Sequence, residues 1–270
     1  MMRFFITLAY NGKNYVGWQN QPNGRSVQQT VEEAISTLLR QTVSIVGAGR
    51  TDAGVHAQKM VAHFDWYGEA FEIQEFINRM NGFLPKDIAV YRIQAVIADA
   101  HARFSATSRS YKYYLTTQKN PFCHECKLRV FFTPDIEAMN KLCGVLMEYT
   151  DFTSFSKLHT DVKTNICRID EAYWTQDGAD YVFTIRADRF LRNMVRAIVG
   201  TLIEAGRGRL GEDGFRKIIE GKNRCLAGHS APGQALFLHD VAYPDAIFIA
   251  GKRKKPDLAT SRASNNLKTT

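Results

Sequence analysis

Two hydrophobic rhythms succeed each other along the chain, one of period two and one near 3.6. The opening "FFITLAYNG" alternates, is aromatic or β-branched at several positions, and predicts a strand ending at Asn11-Gly12. In "GRSVQQTVEEAISTLLRQ", Val27, Val31, Ala34, Ile35, Leu38 and Leu39 fall on one helical face. Ser26 suits its N-cap, with Gln29 three residues on as in a capping box. "KMVAHFDW" predicts a second strand, "FEIQEFINRMNGFLP" a helix closed by Asn81-Gly82 and Pro85, and "DIAVYRIQAV" a third strand. The second half repeats the alternation: a strand at "SYKYYLTT", a helix opened by Thr133-Pro134, and a hairpin turning at Asp177-Gly178. The apolar helix "FLRNMVRAIVGTLIEAG", a shorter helix at "EDGFRKIIEG" and a last strand at "ALFLHDVAYP" complete it.

Each half therefore mixes strands with amphipathic helices, and the junction falls near residue 108. The predicted class is α+β: two related lobes, each a mostly antiparallel β-sheet with helices packed on one side, and a cleft between them. The N-terminal lobe is expected over residues 1–107 and the C-terminal lobe over 108–250, followed by a basic, disordered tail over 251–270. No sequence repeat links the halves, only the similar ordering of their elements.

No apolar run approaches the ~18 residues of a membrane span, and the first residues lack the cleavage site of a signal peptide. A cytoplasmic location is the expectation. The formal charge of +8 suggests a polyanionic partner, but the last twenty residues hold six basic side chains and one acid. They carry +5 of the +8, leaving +3 for the rest, so the argument for nucleic acid must rest on where individual arginines sit. Five cysteines without an export signal read as reduced thiols. Cys123-His124-Glu125-Cys126 has the spacing of half a zinc site, but no second tight pair accompanies it, and it reads as a loop rather than a metal centre.

The stretch "GAGRTDAGVHA", Gly47 to Ala57, is dense in glycine yet sets Arg50 and Asp52 at its centre. It is not a P-loop, since no lysine follows the second glycine at that spacing. A dinucleotide fingerprint would require glycine where Asp52 stands, and a carboxylate there would repel pyrophosphate. An ordinary account remains, in which Asp52 caps a tight turn and Arg50 is a surface ion-pair partner.

The loop resembles the active loop of the tRNA pseudouridine synthase A family, and it has company. "AYNGKNYVGWQNQ" with "VQQTVEEAI", "AHARFSATSRSYKYYL", "DFTSFSK", "FLRNMVRAIVGTL" and "APGQALFLHDVAYP" are similar to that family's other blocks, in the family's order, over roughly residues 4 to 244. The resemblance implies the pseudouridine synthase fold and a cofactor-free, metal-free isomerisation of uridine to pseudouridine in the anticodon stem-loop of tRNA, at positions 38, 39 and 40. It implies Asp52 as nucleophile, a role for which a carboxylate needs no activating base. Arg196, set in an apolar helix beside Val195, Ile198 and Val199, becomes the ion-pair partner of Asp52. Tyr111 becomes the residue that stacks on the target base and assists proton transfer at C5. Arg50 is expected to contact RNA. His101, Arg103, Phe104, Arg109 and Lys112 cluster before and within the Tyr111 strand, and Arg186, Arg189 and Arg192 lead towards Arg196, as phosphate contacts beside stacking surfaces. Lys157 is a further candidate. The expected partners are tRNA and a second copy of the chain, as a homodimer, with no membrane. Two other readings stay open: a noncatalytic RNA-binding protein on the same scaffold, and a synthase acting on another structured RNA.

Overall fold

A computed structural model describes residues 1–157 and 164–249; the basic tail lies outside the described residues. The strands are β1 (Met2–Tyr10), β2 (Val46–Gly47), β3 (His56–Trp66), β4 (Ile88–Val96), β5 (Ser108–Thr116), β6 (Leu128–Arg129), β7 (Ile169–Asp177), β8 (Asp180–Ala187) and β9 (Leu236–Ala242). The helices are α1 (Val27–Leu39), α2 (Ile73–Phe83), α3 (Ile136–Leu146), α4 (Met194–Gly206) and α5 (Glu212–Glu220).

All nine strands of the described residues join one mostly antiparallel sheet, in the order β4-β1-β3-β9-β5-β8-β7, with β2 beside β3 and β6 beside β5. The relatedness of the halves is in their connectivity. Elements β1-α1-β2-β3-α2-β4 and β5-α3-β7-β8-α4-β9 both run β-α-β-β-α-β, and in each the strands lie in the spatial order fourth, first, third, second. The first half departs from the pattern at β2, which is only two residues long and pairs with Ala62 and His63 at the middle of β3. The start of β3 is left open there. Strand β9 takes that position, parallel to β3 through His56 and Ala57 and antiparallel to β5 from Ser108 to Tyr113. The two halves thus share one sheet.

Each half keeps its own core. Phe4, Ile6 and Leu8 of β1 meet Val31, Ile35, Phe76 and Met80 of α1 and α2 in the first. In the second, Tyr113, Leu115, Phe183 and Ile185 meet Leu142, Leu146, Ile198 and Leu202 of α3 and α4. Ser26 caps α1 by accepting from the Gln29 amide at 3.0 Å. Two helix ends differ from the pattern-based expectation. Helix α2 runs through Asn81 and Gly82 to Phe83 instead of stopping there, because the Asn81 side chain is satisfied by both backbone groups of Val90 on β4. Helix α4 begins at Met194, since Asn193 adopts φ 66 and breaks the apolar run from Phe190. Among the described residues no helix is long and apolar enough to cross a membrane, and no three His, Cys, Asp or Glu side chains converge as metal ligands would.

Candidate active site

The glycine loop crosses from β2 to β3 and is fastened at several points. Tyr10, at the end of β1, shares a buried 2.8 Å hydrogen bond with the Thr51 hydroxyl, and the Trp18 amide donates to the Thr51 carbonyl at 3.2 Å. These bonds place Thr51 immediately before Asp52. Asp52 then starts a tight turn, closed by the Val55 amide donating to the Asp52 carbonyl at 3.2 Å. Gly54 sits in that turn at φ +75, a conformation that favours glycine. A Cβ on Gly17 would come within 2.5 Å of the Thr51 carbonyl oxygen, so the N-terminal segment lies directly on the loop backbone.

From α4 in the second half, Arg196 Nη1 donates to Asp52 Oδ2 at 3.1 Å, a contact between residues 144 positions apart. Arg196 Nε donates at 2.7 Å to the carbonyl of Ala231, whose amide in turn donates to the Arg196 carbonyl. The turn that supplies Ala231 is pressed onto α4: a Cβ on Gly200 would stand 1.7 Å from the His229 carbonyl oxygen. Ser230 is tied to Asn193 at 2.6 Å and to Arg224 at 2.9 Å. The guanidinium is therefore held by two acceptors in a fixed direction, with 23% of the Arg196 side chain and 28% of the Asp52 side chain exposed. Asp52 is accessible yet permanently faced by a cation.

Tyr111 packs on both cores, and its ring meets Phe190 edge-on at 5.1 Å. Burial pushes its phenol up to about 12, opposed by the Arg109 guanidinium and reinforced by the Asp52 carboxylate, so the ring is neutral near pH 7. The structure thus brings Asp52, Arg196 and Tyr111 together where the two halves meet. Arg50 is exposed beside them and meets no acceptor among the described residues.

The surrounding basic residues divide by location. Arg103 and Phe104 are exposed, with the guanidinium 5.5 Å from the ring centroid, and the His101 ring lies 4.4 Å from that of Phe104. His101 also braces this turn, its Nδ1 accepting from the Arg103 amide at 3.1 Å. Arg192 is exposed, Arg189 is half-buried, and the Lys157 amide donates to the Arg192 carbonyl at 3.0 Å. Arg109 is engaged inside the protein: it donates to the carbonyls of Ala48, Arg103, Ala106 and Asp188, joining the glycine loop to two neighbouring segments. Lys112 alternates with Tyr111 along β5 and so takes the opposite sheet face, with Tyr114. Arg186 is ion-paired to Glu171 at 2.8 Å.

Sequence reasoning missed the fastenings. Tyr10, Gly17 and Trp18 set the loop's place, and their only signal was the density of glycine and aromatic residues in "AYNGKNYVGW"; Arg109, read from the sequence as an RNA contact, fastens the loop through the Ala48 carbonyl.

The profile of the tRNA pseudouridine synthase family matches residues 6–105 and 147–244, which include Asp52 and Arg196. The chain belongs to that family. A protein of Parabacteroides distasonis named tRNA pseudouridine synthase A is 63% identical over 248 residues, covering 92% of this chain and 98% of its own. One of the same name from Bacteroides thetaiotaomicron is 59% identical over 263 residues, covering 96% and 97%. A more distant namesake from Exiguobacterium sibiricum is 33% identical over 91% of this chain and 98% of its own. Tyr111 and the Cys123–Cys126 loop fall in the interval the family profile leaves unmatched.

Proposed function

We propose that Asp52 is the nucleophile with which this member of the tRNA pseudouridine synthase family converts uridine to pseudouridine in tRNA. The observation that carries the reading is the Arg196–Asp52 contact, an accessible carboxylate held against a fixed cation beside a half-buried tyrosine. Isomerisation moves no atoms in or out. The bond from ribose C1′ to N1 breaks, the base turns, and C5 joins C1′; C5 gives up its proton and N1 takes one up. A carboxylate adding to C6 or to C1′ starts this sequence and departs at the end. When RNA covers the cleft and excludes water, an unpaired carboxylate would favour its neutral form. Arg196 opposes that and keeps the nucleophile charged. The neutral Tyr111 ring suits stacking on the extruded base; to take the C5 proton it must first release its own.

The substrate is the anticodon stem-loop, at positions 38, 39 and 40, as the family resemblance implies. Arg50 holds the target nucleotide out of its stack, while Arg103, Phe104, Arg189, Arg192 and Lys157 line the approach for the RNA. The enzyme acts as a cytoplasmic homodimer without cofactor or metal. The deciding experiment incubates tRNA with the wild-type protein and with Asp52→Asn, then maps pseudouridine. Wild type modifies the anticodon arm and the variant modifies nothing; pseudouridine formed by the variant refutes the nucleophile.

A further inference from the structure

His56 takes no part in the chemistry assigned to Asp52, Tyr111 and Arg196, yet its ring is held on several sides. It is 1% exposed. Nδ1 accepts from the buried Gly12 amide at 3.1 Å, and Nε2 lies 2.9 Å from the Gln234 carbonyl oxygen. A ring nitrogen that accepts from an N–H carries no proton, so Nε2 bears the hydrogen and donates it to Gln234. The imidazole is therefore neutral. One face lies on Phe237, with centroids 4.5 Å apart and planes inclined by 21°. Burial holds the ring below the ordinary histidine range, despite the nearby Glu125, whose carboxylate pairs with Lys13. With both nitrogens bonded to backbone and no route to solvent, His56 cannot serve as an acid or a base in the cleft.

Its three partners lie in three parts of the chain. Gly12 belongs to the turn after β1, Gln234 to the turn before β9, and Phe237 to β9 itself. His56 is the first residue of β3, at the exit of the glycine loop. The loop is pressed between the same two turns. A Cβ on Gly12 would stand 2.0 Å from the Val55 carbonyl oxygen, and one on Gly233 would stand 2.9 Å from that of Ala53. Between Asp52 and His56 there is only the closed turn ending at Val55. Any shift of the His56 backbone is thus transmitted to the Asp52 carboxylate.

We propose that His56 is a positioning residue for Asp52: its neutral ring locks the exit of the glycine loop to both halves of the chain, and so fixes where the carboxylate meets the reacting carbon. The inference rests on the pseudouridine synthase reading. It is tested with His56→Leu, which removes both hydrogen bonds, and His56→Asn, whose amide oxygen can still accept from the Gly12 amide. Turnover and KM for tRNA are measured with the thermal midpoint of each variant. A misplacement of about 1 Å predicts a fall in kcat of about 10²-fold for His56→Leu with KM within about twofold, and recovery of at least about tenfold by His56→Asn. Should His56→Leu fail to fold, His56→Gln, which keeps the bond to Gln234 but not that from Gly12, replaces it under the same thresholds. A folded His56→Leu with wild-type kcat overturns the proposal, as does an equal loss in the leucine and asparagine variants. If active wild-type protein accompanies either result, only the role of His56 falls. If the wild-type protein forms no pseudouridine, the functional reading falls and this inference with it.

Discussion

Replacing Arg196 with methionine separates what the guanidinium does for folding from what it does for chemistry. The substitution keeps a long side chain in α4 but removes both donors. The Ala231 carbonyl, which accepts from Nε at 2.7 Å, loses its partner, a cost of roughly 1–3 kcal/mol for a buried acceptor. The ion pair with Asp52 is partly buried, 23% and 28% exposed, so the upper end of the range for surface pairs, about 1 kcal/mol, is the appropriate addition. The folded state should therefore lose about 2–4 kcal/mol, which a domain with ordinary stability of roughly 5–15 kcal/mol survives. The effect on the reaction is larger, because it is felt in a site from which RNA has displaced water. Removing one preorganised electrostatic partner costs about 2.7–4 kcal/mol of barrier, or about 10²–10³-fold in kcat. Arg196→Lys retains the charge, but one ammonium group cannot reproduce a fork aimed at Asp52 and Ala231 together, and should lose about tenfold. The assay is release of tritium from C5-labelled uridine in tRNA, since that hydrogen must leave C5 whichever carbon is attacked first. Urea unfolding of the same samples supplies the stability figure. A kcat within about fivefold of wild type for a folded Arg196→Met would refute the claim that this cation sustains the nucleophile.

Asp52→Asn should abolish turnover while leaving tRNA affinity within about threefold by filter binding, because isosteric loss of a nucleophile removes a transition-state interaction. Tyr111→Phe should retain tRNA binding that Tyr111→Ala loses, by about 1–3 kcal/mol per stacked base, measured by titration at fixed salt. Equal binding by the two variants would remove stacking from the role of Tyr111. His63 gives a pH test of stability. Its Nδ1 accepts from the Ala102 amide at 3.1 Å, and burial lowers its pKa from 6.5 to about 4. The unfolded chain then takes up the proton first, so stability is full above the unfolded value and falls as the pH drops from about 6.5 towards 4. By linkage the loss between pH 7.5 and pH 5 is about 2 kcal/mol, and His63→Gln should lack that share of it in urea unfolding. Gly12→Ala should unfold at lower urea than wild type, since its Cβ would overlap the Val55 carbonyl; an unchanged midpoint would mean the N-terminal turn yields freely.

Much of the architecture could be read from local pattern. The apolar faces of α1 and α3 and the hairpin at Asp177-Gly178 are short-range properties, and period and turn chemistry express them directly. Asn81 misleads because the same side chain that suits a helix stop can instead bond Val90 across the fold. The continuity of the sheet leaves no local trace, since β9 reads as a strand whichever neighbours it has. At the site, Asp52 stood out for its chemistry within a glycine loop, whereas pattern alone offered for Arg196 only a cation in an apolar helix, and its partner came from the resemblance. Arg109 is an instructive case: beside aromatic and basic residues it looks like a phosphate contact, yet its donors are distributed over four backbone carbonyls. Composition records a charge and cannot record which carbonyls surround it.

The place of β9 bears on when the molecule can begin to work. This strand, among the last described elements, lies between β3 and β5, and the turn that leads into it carries the carbonyl that orients Arg196. A ribosome releases the chain from its N-terminus, at about 5–20 residues per second, so residues 1–230 emerge while the middle of the sheet is still vacant. The first half can gather its core around α1 and α2 during that interval, but the Asp52 loop still lacks β9 beside it and the carbonyl that fixes Arg196. Maturation thus waits on the synthesis of β9, and a polypeptide stalled or clipped before Ala231 would expose the unpaired flanks of two strands while lacking the clamp on Arg196. The fold carries its own check on synthesis: only a chain made through β9 can assemble the cleft.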